Sequence, residues 1–247
     1  MEVTAARRSF LCDIGMWADR TALHEAASMG RVLQLSQLID SGSSVNTVTV
    51  DNVTALHEAC IKGHPNCVRL LLRAGAQVDV RTIHGSTPLC YACTSGSLDC
   101  ARLLLEHGAN VNPSLTTLTP SSLQEACMQE ARINSVKFHE TALHLATRGG
   151  SVELMEMLIE FGADVFYSDN SGNRPRDYAV EGTDPYLCLT FFESNPLSLQ
   201  QICRIRLRSQ LGPRAFRVIP ELQISPWIKN YLLFSDTCAQ TQSQTKQ

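Results

Sequence analysis

The residues of this chain with the most obvious chemistry are its ten cysteines and seven histidines, and their spacing decides what they can do. Cys90 and Cys93 form a Cys-x-x-Cys pair, a spacing that suits zinc binding or dithiol–disulfide exchange. A structural zinc site needs a second pair at matching distance, and none follows. Cys90 belongs to a phrase, TPLCYAC, that opens at Thr87. Its other copies are TALHEAA from Thr21, TALHEAC from Thr54 and TALHLAT from Thr141. Where Cys90 stands, those copies have His24, His57 and His144. Groups that recur with a 33-residue meter read as scaffold. Each histidine is expected at the third helical position after its Thr, exchanging hydrogen bonds with the cap and a neighbouring loop. Cys60 and Cys93 end the phrase, and Cys67 and Cys100 begin the next apolar run. They read as small buried hydrophobes that stay reduced. No catalytic residue, metal or cofactor is assigned.

The elements that must hold these residues follow from the same meter. Thr21, Thr54, Thr87 and Thr141 are expected N-caps, their hydroxyls satisfying a free N–H at a helix start. Pro88 sits at a first helical position, where a missing N–H costs nothing. Nine residues after each Thr comes one glycine (Gly30, Gly63, Gly96, Gly150), and twelve later a second (Gly42, Gly75, Gly108, Gly162). Both are expected to end helices in the left-handed conformation. Leu70, Leu71, Leu103, Leu104, Leu158 and Ile159 are expected on the buried side of the second helices. One helix pair cannot bury such a face alone, so neighbours must stack. Period and phrase together resemble an ankyrin array. The resemblance implies an all-α solenoid of helix pairs with projecting hairpin fingers, here at 45–52 and 78–86. It also implies a concave partner-binding surface, on which Glu25, Thr47, Thr49, Asp51, Glu58, Arg81, His84 and Tyr91 are candidates.

Composition sets further bounds. A net charge of −3 over 247 residues gives no global basic footprint, which argues against nucleic acid as a partner. No run resembles a signal peptide or a membrane span. A cytoplasmic location is expected, with the nucleus as a second. Residues 1–20 read as a leader in which Phe10, Leu11, Ile14 and Trp17 share a helical face and cap the open end of the stack.

After Gly108 the meter breaks. The next phrase-opening Thr lies 33 residues on, at Thr141, where every other such gap is twelve. Within 113–140, Leu123-Gln124-Glu125-Ala126-Cys127 matches the phrase and Ile133-Asn134 resembles the finger-opening Val45-Asn46. Between those landmarks twelve residues are missing, about one helix. The segment reads as a truncated repeat lacking its second helix, as in a splice variant with impaired target binding or a defective gene model, and local unfolding of 113–140 should follow. A functional insertion is the alternative. The repeat from 141 is regular, with Leu143, Ala146, Leu154, Met155, Leu158 and Ile159 as its expected core. A terminal capping copy, RPRDYA, covers 174–194. In it Asp184 is the expected N-cap of a helix through Phe192, and Leu187, Phe191 and Phe192 seal the end.

Beyond Pro196 the meter is gone. The segment from Pro196 reads as an amphipathic helix ended by Gly212, with Leu199, Cys203 and Leu207 on one face and Ile202 beside them. Shorter helices are expected at 213–218 and 226–234, the last with Ile228, Tyr231 and Leu232 on one face. Arg204, Arg206, Arg208, Arg214 and Arg217 read as a solvated basic face, since no aromatic residues interleave with them for base stacking. Residues 235–247, rich in Gln, Thr and Ser, read as a disordered tail. The spacing Ser198-Leu199-x-x-x-Cys203-x-x-x-Leu207 resembles the BC-box that opens a SOCS box, and 195–234 matches that module's outline. With the array, almost the whole chain resembles the ankyrin repeat and SOCS box family. That resemblance implies elongin C and elongin B bound through Ser198, Leu199, Ile202, Cys203 and Leu207. It also implies a cullin, cullin five, with its RING protein, contacted through Leu222, Ile224, Pro226, Ile228, Tyr231 and Leu232. The family's Leu-Pro-x-Pro element survives only in part, in Leu222-Gln223-Ile224-Ser225-Pro226. The implied role is a non-catalytic receptor holding an unidentified protein target for ubiquitination and proteasomal degradation. The alternative is an ankyrin scaffold or competitive inhibitor whose C-terminal helices only cap the stack.

Overall fold

The computed structural model describes residues 20–112, 140–169, 171–195, 197–211 and 214–233. The leader, the truncated repeat and the tail expected from the sequence lie outside the described residues. Four helix pairs follow one another: α1 (Ala22–Ser28) with α2 (Val32–Asp40), α3 (Ala55–Ile61) with α4 (Pro65–Arg73), α5 (Pro88–Thr94) with α6 (Leu98–Glu106), and α7 (Ala142–Gly149) with α8 (Val152–Glu160). A 3₁₀ turn at Pro175–Tyr178 and α9 (Asp184–Ser194) complete the stack, and α10 (Leu199–Leu211), α11 (Ala215–Glu221) and α12 (Pro226–Leu233) follow.

The phrase folds as its chemistry dictates. In the second copy, Thr54 is extended and its hydroxyl accepts from the His57 N–H at 3.4 Å. His57 Nδ1 accepts from the Thr54 N–H at 3.0 Å, which leaves the proton on Nε2 to donate to Val80 O at 3.0 Å. This is a capping box in which imidazole takes the part usually played by Glu. Its far nitrogen ties the helix to the following finger. His24 and His144 repeat the arrangement, reaching Val53 O and Asn173 O. Cys90 keeps the cap, its N–H donating to Thr87 Oγ1 and its Sγ accepting from that hydroxyl, but has no second ring nitrogen to reach the following finger.

First helices pack on first helices and second on second along the whole array. The core is a continuous row that includes Leu56, Leu71, Leu104, Leu143 and Leu158. Within α4 and α6 the buried pairs are Leu71 with Leu72 and Leu104 with Leu105, whereas Leu70 and Leu103 are only half-buried. The expected stripe was therefore shifted by one residue. Cys67 and Val68, one turn earlier, set the face with Leu71 and Leu72 by i, i+4 spacing. In the fourth pair the six expected core residues are all buried. At the array's end the helix cap is Thr183 and not Asp184. Leu189 is the fully buried side chain of α9, while Leu187 and Phe191 are exposed and Phe192 is half-buried. Of the three residues expected to seal the end, only Phe192 packs against the core.

A second ladder runs along the finger bases. Asn46 donates to Gly75 O at 3.3 Å and accepts from the Gln77 N–H at 2.8 Å. Asp79, one repeat on, accepts from the Asn110 N–H. Asn112, the next rung, donates to Gly162 O at 2.7 Å and accepts from the Asp164 N–H at 3.0 Å. Those partners belong to the repeat that opens at Thr141. The third and fourth pairs are thus direct neighbours, joined as the regular repeats are, with α5 against α7 and α6 against α8. The ladder ends before the terminal unit: its place in the fourth repeat is held by Phe166.

Candidate functional site

Two exposed surfaces stand out among the described residues. On the fingers, Val48 bridges Thr54, and Asn52 adopts φ 57° at the tip. The Asn52 amide donates to Arg81 O, and the Ile83 N–H donates to Asp51 O at 3.0 Å, so the first two fingers are tied together. Of the eight candidates, Glu25 and His84 are exposed and the rest are half-buried. Several already serve the scaffold. Thr47 donates to Ser44 O, Thr49 accepts from the Val53 N–H, Glu58 pairs with Arg20, and Tyr91 lies edge-on to His57. Sequence reasoning overlooked Val50 and Ile83, exposed apolar tips of the two joined fingers. They stand 33 residues apart, so the repeat period itself carried the signal.

The second surface is the outer face of α10. Its start is fixed by a reciprocal cap, in which the Gln201 N–H donates to Ser198 Oγ and the Ser198 N–H donates to Gln201 Oε1 at 2.8 Å. Ser198 therefore has a positioning part in the helix it begins. On the outer face Leu199 is 76% exposed and Ile202 50% exposed, with Cys203 also exposed and Leu207 half-buried. Beside Ile202 runs an apolar cleft of about 470 Å³ toward the last finger, lined by Phe166, Phe192, Leu197 and Ile205 among others. The inner face of α10 meets the array at Gly162, where φ is +100° and a Cβ would lie 2.6 Å from Ile205 Cγ2. Of the remaining candidates, Leu222, Pro226 and Ile228 are exposed, and Ile224, Tyr231 and Leu232 half-buried. Trp227, not singled out from the sequence, stacks on Tyr231 at 5.9 Å and is exposed.

The basic face needs correction. Arg206 and Arg214 are exposed, but Arg204 is only 4% exposed and Arg208 is half-buried. Burial lowers both guanidinium pKa values, that of Arg208 to about 10, while neighbouring Glu160 and Glu106 respectively pull the other way. Burial likewise raises the Glu160 carboxyl, which Arg204 opposes. Each arginine lies over an aromatic ring, a placement that shields the charge without requiring full hydration. Among the described residues no three His, Cys, Asp or Glu side chains converge as a metal site would require, and no helix is long and apolar enough to cross a membrane.

Capped helix pairs with tied fingers, ending in a short helical module that leaves an apolar face uncovered, define an ankyrin-repeat protein with a C-terminal three-helix module. Family models agree with that description. Ankyrin repeats match at 23–115 and 89–159, and the SOCS box at 195–233. Ankyrin repeat and SOCS box protein 13 of mouse and of human are each 49% identical to this chain, over 95% of it and 100% of the relative. Ankyrin repeat and SOCS box protein 5 of mouse is 46% identical over 89% of the chain and 80% of the relative. The chain belongs to the ankyrin repeat and SOCS box family. The alignment to the mouse protein 13 runs over 278 residues. This chain supplies about 235 of them, so roughly forty have no counterpart here, somewhat more than one 33-residue repeat.

Proposed function

We propose that this protein is the substrate-recognition subunit of an elongin B/C–cullin–RING ubiquitin ligase. The fingers and first-helix faces would hold a target protein, and α10 to α12 would hold the ligase. The chain itself would do no chemistry. Tethering raises the effective concentration of target lysines near the ubiquitin carrier. A cytoplasmic setting suits such a role.

The observation that carries this reading is the exposed row of Leu199, Ile202 and Cys203 on α10. A 76%-exposed leucine has no value to an isolated cap, because an apolar side chain left in water contributes little to the fold. Inserted into an apolar pocket of elongin C, it becomes an anchor. Truncating a buried interface anchor costs about 2 kcal/mol or more, about thirtyfold in affinity. Co-expression with elongin B and C followed by calorimetry tests this. The chain should co-purify with both, and Leu199→Ala with Cys203→Ala should lose at least that factor with no change in melting temperature. Unaltered binding by the double variant would return the module to a plain cap and favour an ankyrin scaffold without ligase recruitment. Through Leu222, Ile224, Pro226 and the exposed side of α12 the module would also meet a cullin, cullin five on the family's pattern. Addition of that cullin to the purified complex tests this second step.

A further inference from the structure

Two arginines of α10 face away from the exposed row and do something the others do not. Arg204 places its guanidinium 4.6 Å from the centroid of Tyr231 on α12 and interacts with Glu160, the last residue of α8. Arg208, one turn later, donates from Nη1 to Leu232 O on α12 at 3.0 Å. It also lies 5.3 Å over the Phe161 ring and interacts with Glu106, the last residue of α6. Arg208 therefore touches the array at Phe161 and α12 at Leu232, while Arg204, stacked on Tyr231 of α12, lies within electrostatic reach of the end of α8. The four-residue spacing puts both arginines on one helix face, opposite the exposed Leu199 and Cys203.

Arginine suits this place for a geometric reason. Its planar cation can stack on a ring while its edge donates to a carbonyl or carboxylate, whereas a lysine offers a point charge on a flexible stem. Leucines at these positions would glue the surfaces without fixing an angle. We infer that Arg204 and Arg208 are positioning residues that set the orientation of the partner-binding helices relative to the array. A target gripped by the fingers and a ligase gripped by α10 and α12 are thereby held at a fixed mutual angle. This inference rests on the proposed receptor role for its purpose, but not for its geometry.

The test uses the full chain carrying a fluorophore pair, introduced as non-canonical amino acids at exposed positions 33 and 230 so that native cysteines are untouched. Single-molecule energy transfer then gives the distance distribution between the first repeat and α12. In the double variant Arg204→Lys with Arg208→Lys, the distribution should broaden at least twofold, while elongin B/C affinity stays within twofold of the parent. The charge-conserving change keeps the net electrostatics, so a broadened distribution reports loss of planar stacking and edge donation. A single Arg208→Lys variant serves if the double one fails to fold, and should give a smaller broadening. An unchanged distribution would overturn the inference and leave orientation to the Gly162–Ile205 contact. Loss of elongin binding with unchanged distances would also overturn it, making the pair contact residues. If the parent chain itself does not bind elongin, the receptor reading fails while the distance measurement still decides the clasp.

Discussion

His57 illustrates how a residue with catalytic potential can be committed to the scaffold. Burial pushes its pKa down to about 4, against opposing hydrogen bonds from the Val80 and Ser86 backbone. His24 and His144 are lowered for the same first cause. The unfolded chain, with ordinary imidazoles near pH 6.5, takes up protons before the folded one does. Stability is then complete above about pH 6.5 and falls as the pH drops from there through the folded values, His57 alone accounting for up to ~3 kcal/mol. Urea unfolding at pH 7.5 and pH 5 should show a lower midpoint at pH 5. The difference should shrink in His57→Gln. Equal midpoints would mean that the buried rings are not the neutral scaffold groups described above.

At the scale of elements, Gly162 is where the last helical module touches the array. Gly42 and Gly162 have similar positive φ, but a Cβ at Gly42 would meet nothing within 4 Å while one at Gly162 would strike Ile205. Gly42→Ala should cost about 1 kcal/mol from the backbone alone. Gly162→Ala should cost ~1–3 kcal/mol more from the displaced α10. Thermal unfolding of the two variants side by side isolates the close approach, and equal losses would remove it. Here the sequence was a partial guide. Caps, glycines and the alternation of helices were legible because local hydrogen bonding and left-handed dihedrals dictate them residue by residue. The choice between Leu70 and Leu72, or between Phe191 and Leu189, was not, because a helix turned by one residue keeps the same composition and only its neighbours decide which side is dry. Arg204 was misread for a related reason. A guanidinium on paper is solvated, and only the ring of Tyr231 and the end of α8 make its burial tolerable. Among the proposed site residues, the shared face of Leu199 and Cys203 was legible from their four-residue spacing, whereas Ser198 revealed its capping part only once Gln201 was seen to return the bond.

For the molecule as a whole, the Asn112 rung says that the fourth repeat needs the third as its immediate neighbour. Removing 21 residues, 116–136, would restore the twelve-residue spacing found elsewhere in the array. Closing a shorter connection should change stability by only about 1 kcal/mol, in the favourable direction, since loop-closure entropy grows with the logarithm of length. Asn112→Ala should cost about 1–2 kcal/mol through two lost hydrogen bonds, with faster hydrogen exchange at the Asp164 amide. A strongly destabilised deletion would mean that the junction depends on the removed residues. An amide at Asp164 that exchanges no faster in Asn112→Ala would mean that the rung does not hold.

A rung that joins residue 112 to residue 162 as readily as residue 46 to residue 75 makes the array a ruler that can be cut and rejoined at its graduations. What changes with each loss is reach. Packed helices sit about 10 Å apart, so every repeat removed between the first fingers and α10 brings those fingers closer to the C-terminal helices by about that distance. On the proposed receptor role, two family members that differ by a repeat or more would then hold the same target at different heights above the same machinery, and present different lysines to it.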